Sequence, residues 1–199
     1  MPSHRGTFKP SSTSSRNNKI ELNDKCSRHF KWLDLIGCGE AYENSNINNL
    51  PKESRTWDAL TSLSNQILEP TKKKFNNLEL TYCFASKELT SRISGRIAPR
   101  LDQHASYELN TAGRRICTLG GAAADFFVPG IESRRIASFI IANLEFDSLY
   151  FYGDKRPLHV SWSEAPRRNI IEMRYSEKHT RYFPVKRTEL KFLEIYGSN

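Results

Sequence analysis

The chain has 199 residues, a formal net charge of +8, and 38% hydrophobic and 11% aromatic residues. That is the length of one domain with short appended segments; the apolar content suffices for a packed core, while no run approaches the roughly 20 apolar residues that span a bilayer. The four cysteines, Cys26, Cys38, Cys83 and Cys117, form no CxxC pair, which excludes a small disulfide scaffold and reads as reduced thiols of a cytoplasmic protein.

Residues 1–19 hold four Lys or Arg and no acid, a composition that predicts a disordered basic arm and lacks the apolar stretch of a secretory signal. Packing begins near Ile20. CSRHFKWLDLIGCGEAY offers Phe30, Trp32, Leu33 and Ile36 before Gly37 and Gly39, and reads as a short helix or turn docked on an apolar edge, followed by the loop NSNINNLP. From Glu53, the residues Trp57, Leu60, Leu63, Ile67 and Leu68 keep the spacing of a helix face until Pro70 ends it. After a Lys-rich turn at Lys72 to Lys74, LELTYCF reads as a buried strand. SKELTSRISGRI reads as a short helix stopped at Gly95, HASYELN as a further helical turn, and RRICTLGGAAADFFV as a loop entering a strand. SRRIASFIIANL places Ile136, Phe139, Ile140 and Leu144 at helical spacing. FDSLYFYG and RPLHVSW predict two strands joined by a turn at Gly153 and Asp154, with His159 carried into the sheet. From about Ser176 a basic extension with Tyr182, Phe183, Phe192 and Tyr196 predicts one strand or helix on the domain edge, so the domain runs over 20–175 and 176–199 is appended. The chain holds no internal repeat.

The charge is unevenly spread. Each end contributes +4, which leaves positions 20 to 165 with 18 basic and 18 acidic residues and no net charge. The basic ends fit contact with an anionic polymer, whether nucleic acid, cell-wall polymer or lipid headgroup, and say little about chemistry.

Two polar residues stand inside apolar runs: Asp125 in GGAAADF and His159 in RPLHVSW. Such neighbours draw a carboxylate or imidazole inside the fold, where an unpaired polar group costs a few kcal/mol, so something must satisfy it. Zinc with mixed His and Asp ligands and a position left for water is one answer, and it makes the protein a hydrolase. The alternatives are an Asp that caps a turn and a core histidine bonded to a backbone carbonyl.

The order of SRHF at Ser27 to Phe30, LEP at Leu68 to Pro70, GAAAD at Gly121 to Asp125, FDSLYF at Phe146 to Phe151 and HVSW at His159 to Trp162 resembles the D-alanyl-D-alanine carboxypeptidase-like, hedgehog-type zinc peptidases. The resemblance covers most of the chain, about residues 26 to 163. It implies an α+β fold with a small, mostly antiparallel sheet and helices packed on one side. It also implies Asp125 and His159 as zinc ligands. For the third ligand, the family spacing back from Gly121 lands on Thr118, a poor donor, whereas Asp-Gln-His at Asp102 to His104 resembles the Ser-x-His half of the zinc motif with an insertion behind it. His104 is therefore the expected ligand and Cys117 the second choice.

The family's carbonyl-polarising arginine aligns with Ala85 in YCFAS, and Arg96 or Arg100 in GRIAPRLDQH is the expected substitute, the alternative being ordinary surface arginines. The family's general-base glutamate aligns with Arg156. Asp154 is the nearest carboxylate and the expected base, or else a turn cap; Glu108 and Glu164 follow by proximity to the ligands. The resemblance further implies a peptide-like substrate, the stem of peptidoglycan or a related D-Ala bond, reached through phage lysis or another route of release. Two other readings remain: an intracellular zinc-site domain acting on or beside nucleic acid, and a binding module whose catalysis has been lost. Oligomeric state is not encoded in any feature of the sequence.

Overall fold

The protein was analysed as a computed structural model, which describes residues 20–37, 39–92 and 99–197. The arm over 1–19, Cys38, the helix stop at Gly95 and Arg96 lie outside the described residues. The chain forms six strands: β1 (Glu79–Tyr82), β2 (Ala122–Phe127), β3 (Ser148–Phe151), β4 (Leu158–Trp162), β5 (Asn169–Ser176) and β6 (Arg181–Arg187). They form one sheet in the order β1-β2-β4-β3-β5-β6. All pairings are antiparallel except β3 with β5. The fold is therefore mixed α+β around a mostly antiparallel sheet.

The parallel pair follows from a short path. β3 and β4 form the expected hairpin, which brings the end of β4 back beside the start of β3. Residues 163–168 then step across the end of β3 and deliver β5 to its other edge, with Ser148 opposite Asn169. Asp147 holds this step, its carboxylate accepting from the Ser163 hydroxyl at 2.9 Å and from Arg167 Nε at 2.9 Å.

The helices are α1 (Trp32–Ile36), α2 (Glu40–Glu43), α3 (Ser54–Leu63), α4 (Glu69–Phe75), α5 (Lys87–Thr90), α6 (Ser133–Asn143) and α7 (Glu189–Tyr196). The apolar spacing read from Glu53 does produce a helix, yet Pro70 does not end it: helix continues through Phe75 and includes Lys72 to Lys74. A π-helical turn over Ser64–Leu68 separates α3 from α4, with Glu69 N donating to Ser64 O. The widened turn lets the chain pass a proline, which lacks an N–H and crowds the preceding turn of a regular helix. The segments SRHF and LEP meet here, since Glu69 accepts from Ser27 Oγ at 2.7 Å and from the His29 backbone N–H at 2.6 Å.

α3 and α6 pack on one face of the sheet. Their buried residues Leu60, Leu63, Ile136 and Ile140 meet Ala124, Phe126, Leu149 and Val160, each large apolar side chain contributing about 1.5–3 kcal/mol. The segment after Ser176 supplies both an edge strand and a helix. β6 pairs along β5, and α7 buries Phe192 against Phe151 at 5.5 Å between rings. The other sheet face carries the polar residues Asp125, His159 and Ser161, because alternate strand residues point to opposite sides. No described helix is long and apolar enough to cross a membrane.

Candidate metal centre

The strand register alone brings two ligand residues together. Asp125 on β2 lies opposite His159 on β4, and His159 in turn lies opposite Tyr150 on β3. Side chains in such a row share one face of the sheet.

His104 arrives from outside the sheet, on a single 3₁₀ turn over Gln103–Ala105 started by Asp102, whose carboxylate accepts from His104 N at 3.1 Å. Both ends of the insertion between His104 and β2 are pinned. Gln103 Nε2 donates to Gly120 O at 2.8 Å, and Ser106 Oγ donates to Gly121 O at 2.5 Å. The residues between these anchors thus loop out without moving His104 off the sheet. Gly121 is required at the anchor: its φ is +82° and an added Cβ would lie 2.0 Å from Trp162 O. On the other side, Ala85 N donates to His104 O at 3.0 Å.

The three side chains form a compact group. His159 Nδ1 is 2.7 Å from Asp125 Oδ1 and 3.2 Å from His104 Nε2, and His104 Nε2 is 3.4 Å from Asp125 Oδ1. His104 Nδ1 lies 2.5 Å from Cys83 O. A carbonyl can only accept, so Nδ1 carries a proton, and in the neutral imidazole Nε2 is the nitrogen left to bind a metal between the other two residues. This is the outer hydrogen bond by which a metal-binding histidine is oriented. Both imidazoles are 5% exposed, whereas the Asp125 side chain is 30% exposed, so the group opens to solvent on the carboxylate side.

Burial works against the charge of Asp125, but the imidazoles of His104 and His159 outweigh it and hold the carboxyl well below the usual carboxylate range. Burial likewise disfavours the His104 imidazolium, yet the Asp125 carboxylate overrides it and raises the imidazole pKa. Burial, reinforced by the Asp125 charge, pushes the Tyr152 phenol up to about 12, so it stays a hydrogen-bond donor at neutral pH. Burial raises the Tyr150 phenol as well.

The donor set fits a small divalent ion. With bonds of roughly 2.0–2.1 Å from zinc to nitrogen or carboxylate oxygen, two ligands of a tetrahedral site stand about 3.3 Å apart. The separations of 3.2 and 3.4 Å match that edge, and the 2.7 Å pair needs to open slightly. One carboxylate and two imidazoles suit zinc and leave the fourth corner open. No metal is identified by this geometry.

The other residues singled out in the sequence sit elsewhere. Cys117 is fully buried, burial pushes its thiol up, and it is not in the group of three. Arg100 lines a cavity whose described lining contains none of the three ligands. The Asp154 carboxylate lies at the start of α6, accepting from Arg134 N at 3.4 Å and pairing with Arg134 Nη2 at 3.2 Å. Glu108 is buried and accepts from Lys52 N, Glu53 N and Thr56 Oγ1, which ties down the start of α3. Glu164 pairs with Arg55 at 2.8 Å. Ala85, where the resemblance expects arginine, is fully buried under the His104 turn. Sequence reading missed the supporting roles of Cys83 O, Asp102, Gln103 and Ser106, and of Tyr150, whose ring meets that of His159 edge-on; for Asp102, Gln103 and Ser106 the polar run DQHAS was the signal. No protein-family model, curated protein or solved structure matches the chain.

Proposed function

We propose that the protein is a zinc-dependent hydrolase of a peptide or amide bond, of the D-alanyl-D-alanine carboxypeptidase-like kind and with that family's fold. The observation that carries the reading is the convergence of His104 Nε2, Asp125 Oδ1 and His159 Nδ1 at near-tetrahedral spacing, with His104 oriented by Cys83 O. Zinc bound there would supply a Lewis acid and bring the pKa of a bound water toward about 7.

The chain's own groups do the rest. Asp125 stays ionised to acid pH and gives the site its anionic donor. Its 30% exposure marks the side from which a substrate carbonyl reaches the centre. Asp154, the base the sequence led us to expect, is held by Arg134 at the start of α6 and would have to leave it to serve. A stem peptide ending in D-Ala-D-Ala is the substrate class that the resemblance favours.

Elemental analysis of the purified chain is expected to find about one zinc per chain, lost in His104→Ala and His159→Ala and retained in Cys117→Ser. Hydrolysis of a D-Ala-terminated stem peptide should disappear with chelator and return with zinc. Zinc lost from Cys117→Ser but kept in His104→Ala would overturn the ligand set, and a zinc-loaded protein inert on every amide tested would leave a binding module.

A further inference from the structure

A cavity of about 840 Å³ opens beside the segment that carries His104. Its described lining includes four cations, Lys87, Arg100, Arg114 and Arg115, and no carboxylate. Among the described residues, Lys87, Arg100 and Arg114 make no ion pair, and Arg115 lies over the Tyr107 ring at 4.9 Å. The neighbouring acids are already engaged: Glu88 with Lys52 at 3.1 Å, Glu164 with Arg55 at 2.8 Å, and Glu108 with backbone N–H groups. Among the described residues, Lys87, Arg100 and Arg114 therefore line one cavity without an ion-pair partner, and Arg115 adds a fourth like charge. This follows neither from the basic ends of the chain nor from the metal centre.

The walls are held in place before any ligand arrives. Thr118 donates to Arg100 O through both its backbone N–H and its hydroxyl, each at 3.0 Å. Asn110 Oδ1 accepts from Ala112 N at 2.9 Å and Arg114 N at 3.1 Å, and Asn110 N donates to Arg114 O at 2.8 Å. This turn fixes the backbone from which Arg114 and Arg115 project. A carboxylate offers two coplanar oxygens, which one guanidinium fork already satisfies. Three guanidinium groups and an ammonium, brought together from three segments of the chain, instead match a group with several outward oxygens and more than one negative charge.

We propose that this cavity binds a phosphate-bearing ligand, either a free phosphorylated small molecule or the backbone of a nucleic acid. Phosphate chemistry is common to both, and the cavity is large enough for a ligand of several rings. The site stands whether or not the metal centre is active, because no residue of it is a metal ligand.

The test is calorimetric titration of the full chain with inorganic pyrophosphate and, separately, with a short single-stranded oligonucleotide, each at low and moderate salt. Saturable binding of at least one probe is expected, weakening with added salt. It should fall by about tenfold or more in Arg100→Ala/Arg114→Ala, which removes two charge-assisted contacts. Lys87→Ala should weaken it in the same direction, and Lys178→Ala, on the turn between β5 and β6, should not. Binding of pyrophosphate without the oligonucleotide identifies a small ligand; the reverse identifies nucleic acid. The proposal is overturned if neither probe binds at millimolar concentration, or if Lys87→Ala and a folded double variant both bind like the parent.

Discussion

Asp147→Asn probes the step by which β5 reaches the edge of β3. Asp147 is 1% exposed and its carboxylate receives Ser163 Oγ at 2.9 Å, Ser148 Oγ at 3.2 Å, Arg167 N at 3.3 Å and Arg167 Nε at 2.9 Å, with Arg167 Nη2 closing a two-pronged pair. Asparagine keeps the shape but removes the charge and turns an amide toward the guanidinium. Breaking a fully buried pair costs about 3–5 kcal/mol. The Arg167 side chain is 41% exposed, so water takes over part of the loss, and about 2–3 kcal/mol is expected. A domain of this length loses about 2–4 °C per kcal/mol, which places the drop in Tm at about 4–12 °C.

The pH dependence has a definite sign. Burial alone would raise the Asp147 carboxyl, but hydrogen bonds from Arg167 and Ser163 outweigh it and hold the pKa below the usual range. A carboxyl depressed by folding contributes its full stability above the unfolded value of about 3.9 and loses it as pH falls through the folded value. Thermal unfolding followed by circular dichroism should therefore show a constant gap between parent and Asp147→Asn from neutral pH to about pH 5, narrowing below about pH 4. A gap under about 1 kcal/mol at neutral pH, or one unchanged into acid, would refute the role assigned to this carboxylate.

Gly121→Ala is expected to cost more than about 3 kcal/mol, because its φ of +82° and the 2.0 Å approach to Trp162 O leave no place for a methyl group. Zinc should be lost with it as the Ser106 anchor shifts; a variant with parent-like Tm and zinc content would show that the anchor is dispensable. Asp154→Asn should lower stability by about 0.3–1 kcal/mol through the start of α6 while zinc stays bound. Loss of hydrolysis in that zinc-loaded variant assigns proton transfer to Asp154, whereas parent-level turnover confines it to the helix start.

Local pattern determined a good part of this protein. The short apolar runs in LELTYCF, GGAAADFF, FDSLYF and RPLHVSW pointed to β1 to β4, and helical spacing pointed to α3 and α6, because each residue's own side chain favours water or the core. Asp125 and His159 stood out for the same reason, as polar groups within apolar strands. NIIEMRYS also alternates, but its strand was not read, since β5 acquires its place only by parallel pairing with β3 across the turn that Asp147 holds. Pro70 carried the local mark of a helix end, and the π-helical turn before it removed the conflict.

The sequence points to His104 through the resemblance, and tertiary structure decides how that residue reaches the two strand residues. An insertion separates His104 from β2, and His104 still reaches Asp125 because Gln103 and Ser106 pin its turn to Gly120 and Gly121 and the insertion loops away. The same placement gathers Arg100, Arg114 and Arg115 around a cavity distinct from the ligand group. Sequence encodes which groups are buried; which buried groups meet depends on bonds between residues far apart in the chain, and those form only once the sheet exists.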